Sequence, residues 1–189
     1  MLDTGAVEAR VTIDDVLDFW FKEHGPDDWF KKSDAFDDEI RERFEQAYNM
    51  ARSGYLNHWS NTPEGIVALV IILDQFPRNM YRGTERAYES DTLALVYARR
   101  AIRFGLDKMG LSDQKRQFLY LPYEHSEDME CQIEGIRLMG SLSDPELKEW
   151  AIKHMTVISQ FGRFPHRNQV LGRTSTEEEQ EWLRQHGGF

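Results

Sequence analysis

SDPELKEWAIKHMTVISQFGRFPHRN, residues 143–168, decides the fold class. Ser143-Asp144-Pro145-Glu146 combines a capping box with an early proline, a strong helix start. Leu147, Trp150, Ala151, His154, Val157, Ile158 and Phe161 then recur at spacings of three and four, the clearest amphipathic stripe in the chain. Gly162 stops it. Arg163, His166, Arg167 and Asn168 follow at once, and no acidic residue occurs from 159 to 174.

The same period recurs outward from this segment. Thr12 with Asp15 opens a helix carrying Val16, Leu17, Phe19, Trp20 and Phe21, which Gly25-Pro26 ends. Trp29 and Phe30 fall in a short connection and can dock it on the core. Ser33 caps a stripe of Phe36, Ile40, Phe44, Ala47 and Ala51, with Gly54 as its stop. Thr62-Pro63-Glu64 starts a third helix, and residues 66–73 are apolar all round, so this helix should be central. Pro77 disfavours helical geometry at Phe76 and puts 74–79 at that helix's C-terminal end.

A fourth helix is expected from Ser90 or Asp91 to Phe104. Ser112 caps a short fifth one that Pro122 interrupts. A sixth covers 126–140, where Gly135 and Gly140 allow close helix approach, and a last one, capped within 174–176, carries Trp182 and Leu183. No segment shows sustained strand alternation. The pattern predicts an all-α protein of about eight helices in antiparallel pairs, a single helical domain over 1–189.

A formal net charge of −10 argues against general nucleic-acid binding, whose affinity comes largely from releasing phosphate counterions. It argues equally against an anionic membrane surface. The one cysteine, Cys131, excludes a disulfide framework and a cysteine-based zinc site, and reads as a small core residue. MLDTGAVEARVTIDD has no basic region followed by an apolar run, and the longest apolar run, 66–73, is too short to span a bilayer. A cytoplasmic protein is expected, with no nucleic-acid or membrane partner and its oligomeric state open.

Phosphate-binding glycine loops, dinucleotide fingerprints, Gly-x-Ser-x-Gly turns, His-Glu-x-x-His and Glu-x-x-His are all missing. No cofactor and no metal site is expected. Polar residues crowd instead beside chain breaks, in three places. The first holds Asp74, Gln75, Arg78, Asn79 and Arg82; the second Tyr120, Tyr123, Glu124, His125, Ser126 and Glu127; the third Arg163, His166, Arg167, Asn168 and Arg173. Arginine suits bidentate capture of carboxylate or phosphate, and a histidine beside carboxylates can move protons near neutral pH. Structural roles compete. Asp74 can pair with Arg78 or Arg167 as a buried bridge. Glu124-His125-Ser126 resembles a triad by residue type only. His154 lies on an apolar stripe, as a hydrogen-bonded core histidine would, and the acids of 177–179 suit a first helical turn.

At DQFPRN (74–79), LPYEHSED (121–128) and GRFPHRN (162–168) the chain resembles a widespread bacterial family of uncharacterised proteins, grouped with tetratricopeptide-repeat-like helical folds. The resemblance runs from VLDFWF (16–21) to STEEE (175–179). It implies a superhelically packed all-α array and no particular activity. The family's motif residues fall here on 74–79, on Leu121, Pro122, His125, Ser126 and Glu127, and on 162–168.

The leading expectation is that the three motif segments converge on one polar cleft. Arg78, Arg163 and Arg167 would there bind an anionic small molecule or a carboxylate-bearing peptide end. His125 and His166 would tune it, and Asp74 and Glu127 would orient the arginines, with Gln75, Asn79, Tyr123, Ser126 and Asn168 completing the lining. An alternative is an enzyme in which His125 or His166 is general acid/base on a phosphorylated or carboxylated substrate. A third is a protein-interaction scaffold.

Overall fold

The computed structural model describes residues 11–188; the reading of residues 1–10 as free of a leader lies outside them. Among the described residues every regular element is helical: α1 (Ile13–Asp18), α2 (Pro26–Trp29), α3 (Asp34–Arg52), α4 (Pro63–Val70), α5 (Phe76–Met80), α6 (Asp91–Arg103), α7 (Asp113–Glu124), α8 (Met129–Met139), α9 (Pro145–Phe161) and α10 (Glu177–His186). None of these helices is long and apolar enough to cross a membrane.

Local chemistry sets most of the starts. The side chains of Thr12, Ser33, Thr62, Ser112, Asp128, Asp144 and Thr176 each accept a first-turn backbone N–H. Each such cap is worth about 1 kcal/mol. The sixth expected helix therefore begins at Met129 behind Asp128, not at Ser126. Trp29 forms its own short helix and stacks on Trp20 with centroids 5.8 Å apart, whereas Phe30 stays exposed. Trp150 leaves the stripe expected of it: it is 48% exposed, with the Lys153 ammonium 3.8 Å above its ring.

Both prolines expected to break helices sit inside them. α4 runs into α5 through a π-helical turn, Ile71–Gln75, whose wider spacing lets the Phe76 N–H reach the Ile71 carbonyl. Pro77 offers no N–H to the carbonyl of Leu73, and the Ser90 hydroxyl donates to that oxygen at 2.6 Å instead. Phe76 stays helical despite the proline after it. Pro122 lies within α7, which continues to Glu124.

α4 is the buried axis: residues 65–73 are buried throughout, and α1, α6 and α7 pack around them. Gly65 permits this approach, because a Cβ there would sit 2.2 Å from the Trp59 carbonyl oxygen. An aromatic cluster of Phe19, Trp20, Phe36, Phe44, Phe76 and Phe118 ties the N-terminal helices to α5 and α7. α7, α8 and α9 pack in sequence order, with Gly135 of α8 against the Tyr123 Cβ of α7. The ends of α5, α7 and α9 therefore come to one side, with the N-terminus of α6 between them.

Candidate functional site

A cleft of about 460 Å³ opens where these ends meet, lined by Tyr88, Asp91, Pro122, His125, Ser126 and Arg167 among others. Its floor is an ionic network. Asp74, in the π-helical turn, is fully buried and reaches His125 Nδ1 at 2.8 Å and Arg78 Nη1 at 3.2 Å; Gln75 donates to its other oxygen. π turns recur at functional sites in helices. Arg78 holds Asp91 with both Nη atoms, at 2.9 and 3.0 Å, and donates to the Asp74 carbonyl.

Arg167 lies across this network on the short turn Pro165–Arg167. Its Nη1 donates to the His125 carbonyl at 3.0 Å and to Asp91 Oδ2 at 3.3 Å. The rings of Tyr88 and Phe164 sandwich its guanidinium, with centroids 4.7 and 4.5 Å from Cζ. The side chain is 8% exposed, Nε is buried with no hydrogen-bond partner, and Nη2 bonds to no described residue.

The electrostatics follow from this packing. Burial pushes the Asp74 carboxyl up, but the charge of Arg78 and the hydrogen bonds from His125 and Gln75 outweigh it and hold it at about 2. An ionised Asp74 requires the His125 proton on Nδ1, which leaves Nε2 as the open acceptor. Burial, helped by the positive Arg78, pulls His125 below its ordinary value, so it is neutral at physiological pH. Arg78 is raised: burial opposes its charge, but Asp74 and Asp91 more than compensate. Arg167 moves the other way, drawn down first by burial and then by Arg78. Its charge is therefore under-compensated by the protein around it.

The remaining sequence-nominated residues divide. Ser126 and Glu127 line the cleft, though Glu127 is committed to Arg173 at 2.7 and 3.0 Å and to the Phe164 N–H at 2.8 Å. Arg163 does not join the cleft; it grips Glu179 of α10 at 2.6 and 2.8 Å. Asn168 also turns to Glu179, at 3.2 Å, and to the Ser175 hydroxyl. Asn79 faces away and donates to Asp37, which Arg82 holds bidentately. Tyr123 is buried against α8. His166 packs beside Phe164 and the chain near Gly188, and burial takes it down to about 3. His154 donates to the Trp150 carbonyl at 2.9 Å and lies 3.3 Å from Glu124, whose carboxyl burial and Asp74 push up to about 8. Among the described residues, no group of three or more His, Cys, Asp and Glu side chains is placed to hold a metal ion.

A family described as "Bacterial protein of unknown function (DUF924)" matches residues 16–187. The chain belongs to that family. Its fold is similar to that of the Agrobacterium tumefaciens protein of unknown function ATU0120, with 40% sequence identity, a TM-score of 0.87, and coverage of 92% of this chain and 97% of that one. Among curated proteins none matches.

In this DUF924 chain two residues that hold Arg167 in the cleft lie outside the expected set. Asp91 reads as a helix start, yet it is the carboxylate that Arg78 and Arg167 share. Tyr88 belongs to no motif and supplies one face of the arginine sandwich. Neither has a local signal; an acid placed just after the Ser90 that caps Leu73 is the nearest clue.

Proposed function

We propose that this cleft binds a small anionic molecule, or the carboxylate end of a peptide, against the guanidinium of Arg167. The carrying observation is a buried arginine whose Nη2 bonds to no described residue and that lies between two rings in an open cleft. A desolvated cation left partly uncompensated gains more from a bound carboxylate than a surface arginine does. Arg78 is the positioning partner, since its own donors are spent on Asp74 and Asp91. Arg163 and His166 drop out of the binding group. A thermal-shift screen of carboxylates and phosphates on the wild-type protein and Arg167→Met tests this: stabilisation seen only in the wild type supports it, and equal stabilisation in both refutes it.

A second reading, acid/base catalysis, is favoured by the 2.8 Å contact between Asp74 and His125. That carboxylate fixes the tautomer and leaves Nε2 of a neutral imidazole at the cleft as a general base beside an arginine. Once the screen yields a ligand that is turned over, His125→Gln should abolish turnover while binding survives; undiminished turnover would remove His125 from the chemistry. We also read the helical array as tetratricopeptide-like, supported by the sequential packing of α6, α7, α8 and α9.

A further inference from the structure

The geometry points to a zwitterion as the class of ligand: a carboxylate on Arg167 with an ammonium group directed to Glu85 at the cleft rim. This rests on the reading of Arg167 as the anion seat and asks what else the same cleft selects.

The acids around the cleft decide it. Glu85, Glu89, Asp91 and Glu127 all line it, against Arg167 as the lining arginine. Three of the four are already matched. Asp91 is held by Arg78 and Arg167, Glu127 by Arg173, and Glu89 by Arg52 at 3.0 Å with a further hydrogen bond from Tyr48 at 2.9 Å. Glu85 is exposed and makes no ion pair with a described residue. The cleft is therefore bipolar: an under-paired cation at depth and an unpaired anion at the rim.

A dianion placed on Arg167 would bring its second charge into a space walled by carboxylates. A phosphate would meet the same wall. A simple monocarboxylate would satisfy Arg167 and leave Glu85 solvated. A molecule with an amine at its far end satisfies both. The volume, about 460 Å³, suits a small molecule. Leu95, Pro122 and Leu171 offer apolar surface for a short methylene chain between the two charges.

A matched series isolates the far-end charge: butyrate, succinate, 4-aminobutyrate and 6-aminohexanoate, with inorganic phosphate alongside, titrated calorimetrically at low salt. The amino acid with the better-fitting chain should bind roughly fivefold tighter than butyrate, the gain of one partly exposed ion pair, and succinate should bind more weakly than butyrate. Glu85→Gln should erase the amine's advantage over butyrate. If succinate or phosphate binds tightest, or if the amine's advantage survives Glu85→Gln, the zwitterion assignment is wrong while Arg167 remains an anion seat. If no probe binds the wild-type protein, both assignments fail.

Discussion

Asp74 and His125, 51 residues apart in sequence, meet at 2.8 Å on the buried floor of the cleft. Asp74 also balances Arg78, so it couples the helix-end motif of α5 to that of α7. Asp74→Asn takes from the buried Arg78 one of the two carboxylates that balance it. The expected loss is about 3–5 kcal/mol of unfolding free energy by urea denaturation. The His125 imidazole should titrate still lower by NMR, because Asp74 is the charge that pulls it upward. A small stability change with an unmoved His125 would mean that the dyad does not form.

The bond from the Ser90 hydroxyl to the Leu73 carbonyl replaces the helical donor that Pro77 lacks. Ser90→Ala should cost about 1–3 kcal/mol, the range for a buried acceptor left unpaired. The same substitution at Ser126, whose hydroxyl accepts the Asp128 N–H at 3.3 Å, should cost far less. Equal costs at the two serines would contradict this account of the junction between α4 and α5.

The helices were legible because their signals are local. Thr12, Ser33, Thr62, Ser112, Asp144 and Thr176 cap within three residues of themselves, and the stripes between them obey one period. Pro77 departs from the sequence expectation because its compensation is tertiary: nothing near it announces that Ser90 will serve Leu73. The candidate site was half legible. Asp74, His125 and Arg167 come together, but Arg163 and Arg167 are four residues apart and go to opposite duties, one to Glu179 and one to Asp91. That choice is set by where α10 and α6 lie, which residue type does not encode.

Stability should peak near pH 6.5 and fall on both sides. Glu124 releases its proton at about 8 when folded and near its ordinary 4.5 when unfolded. The unfolded chain ionises first, so stability falls as pH rises from 4.5 through 8. Buried His154 and His166 run the other way, folded at about 4 and about 3 against an ordinary 6.5. The unfolded chain takes up protons first on acidification, so stability falls as pH drops below 6.5, and His125 adds to the same limb. Melting temperature against pH should show the peak, and Glu124→Gln should flatten the alkaline limb. An unchanged alkaline limb would place Glu124 in water, not in the core.

α10 is tied to the third motif by Arg163 and Asn168 on the buried carboxylate of Glu179, with Trp182 against Phe161 as its apolar contact. The pair with Arg163 holds Glu179 at about 2, despite burial. Glu179→Gln should speed amide hydrogen exchange throughout α10 while α4 stays protected. Uniform protection in both helices would show that apolar packing alone holds α10.

The claim that Arg167 is an anion seat is tested most directly by ligand-induced thermal shift in three proteins: wild type, Arg167→Met and Arg163→Met. With 4-aminobutyrate or butyrate in excess, the wild type and Arg163→Met should each gain stability, and Arg167→Met should gain none. An undiminished gain in Arg167→Met, or a loss of the gain in Arg163→Met alone, would contradict the claim.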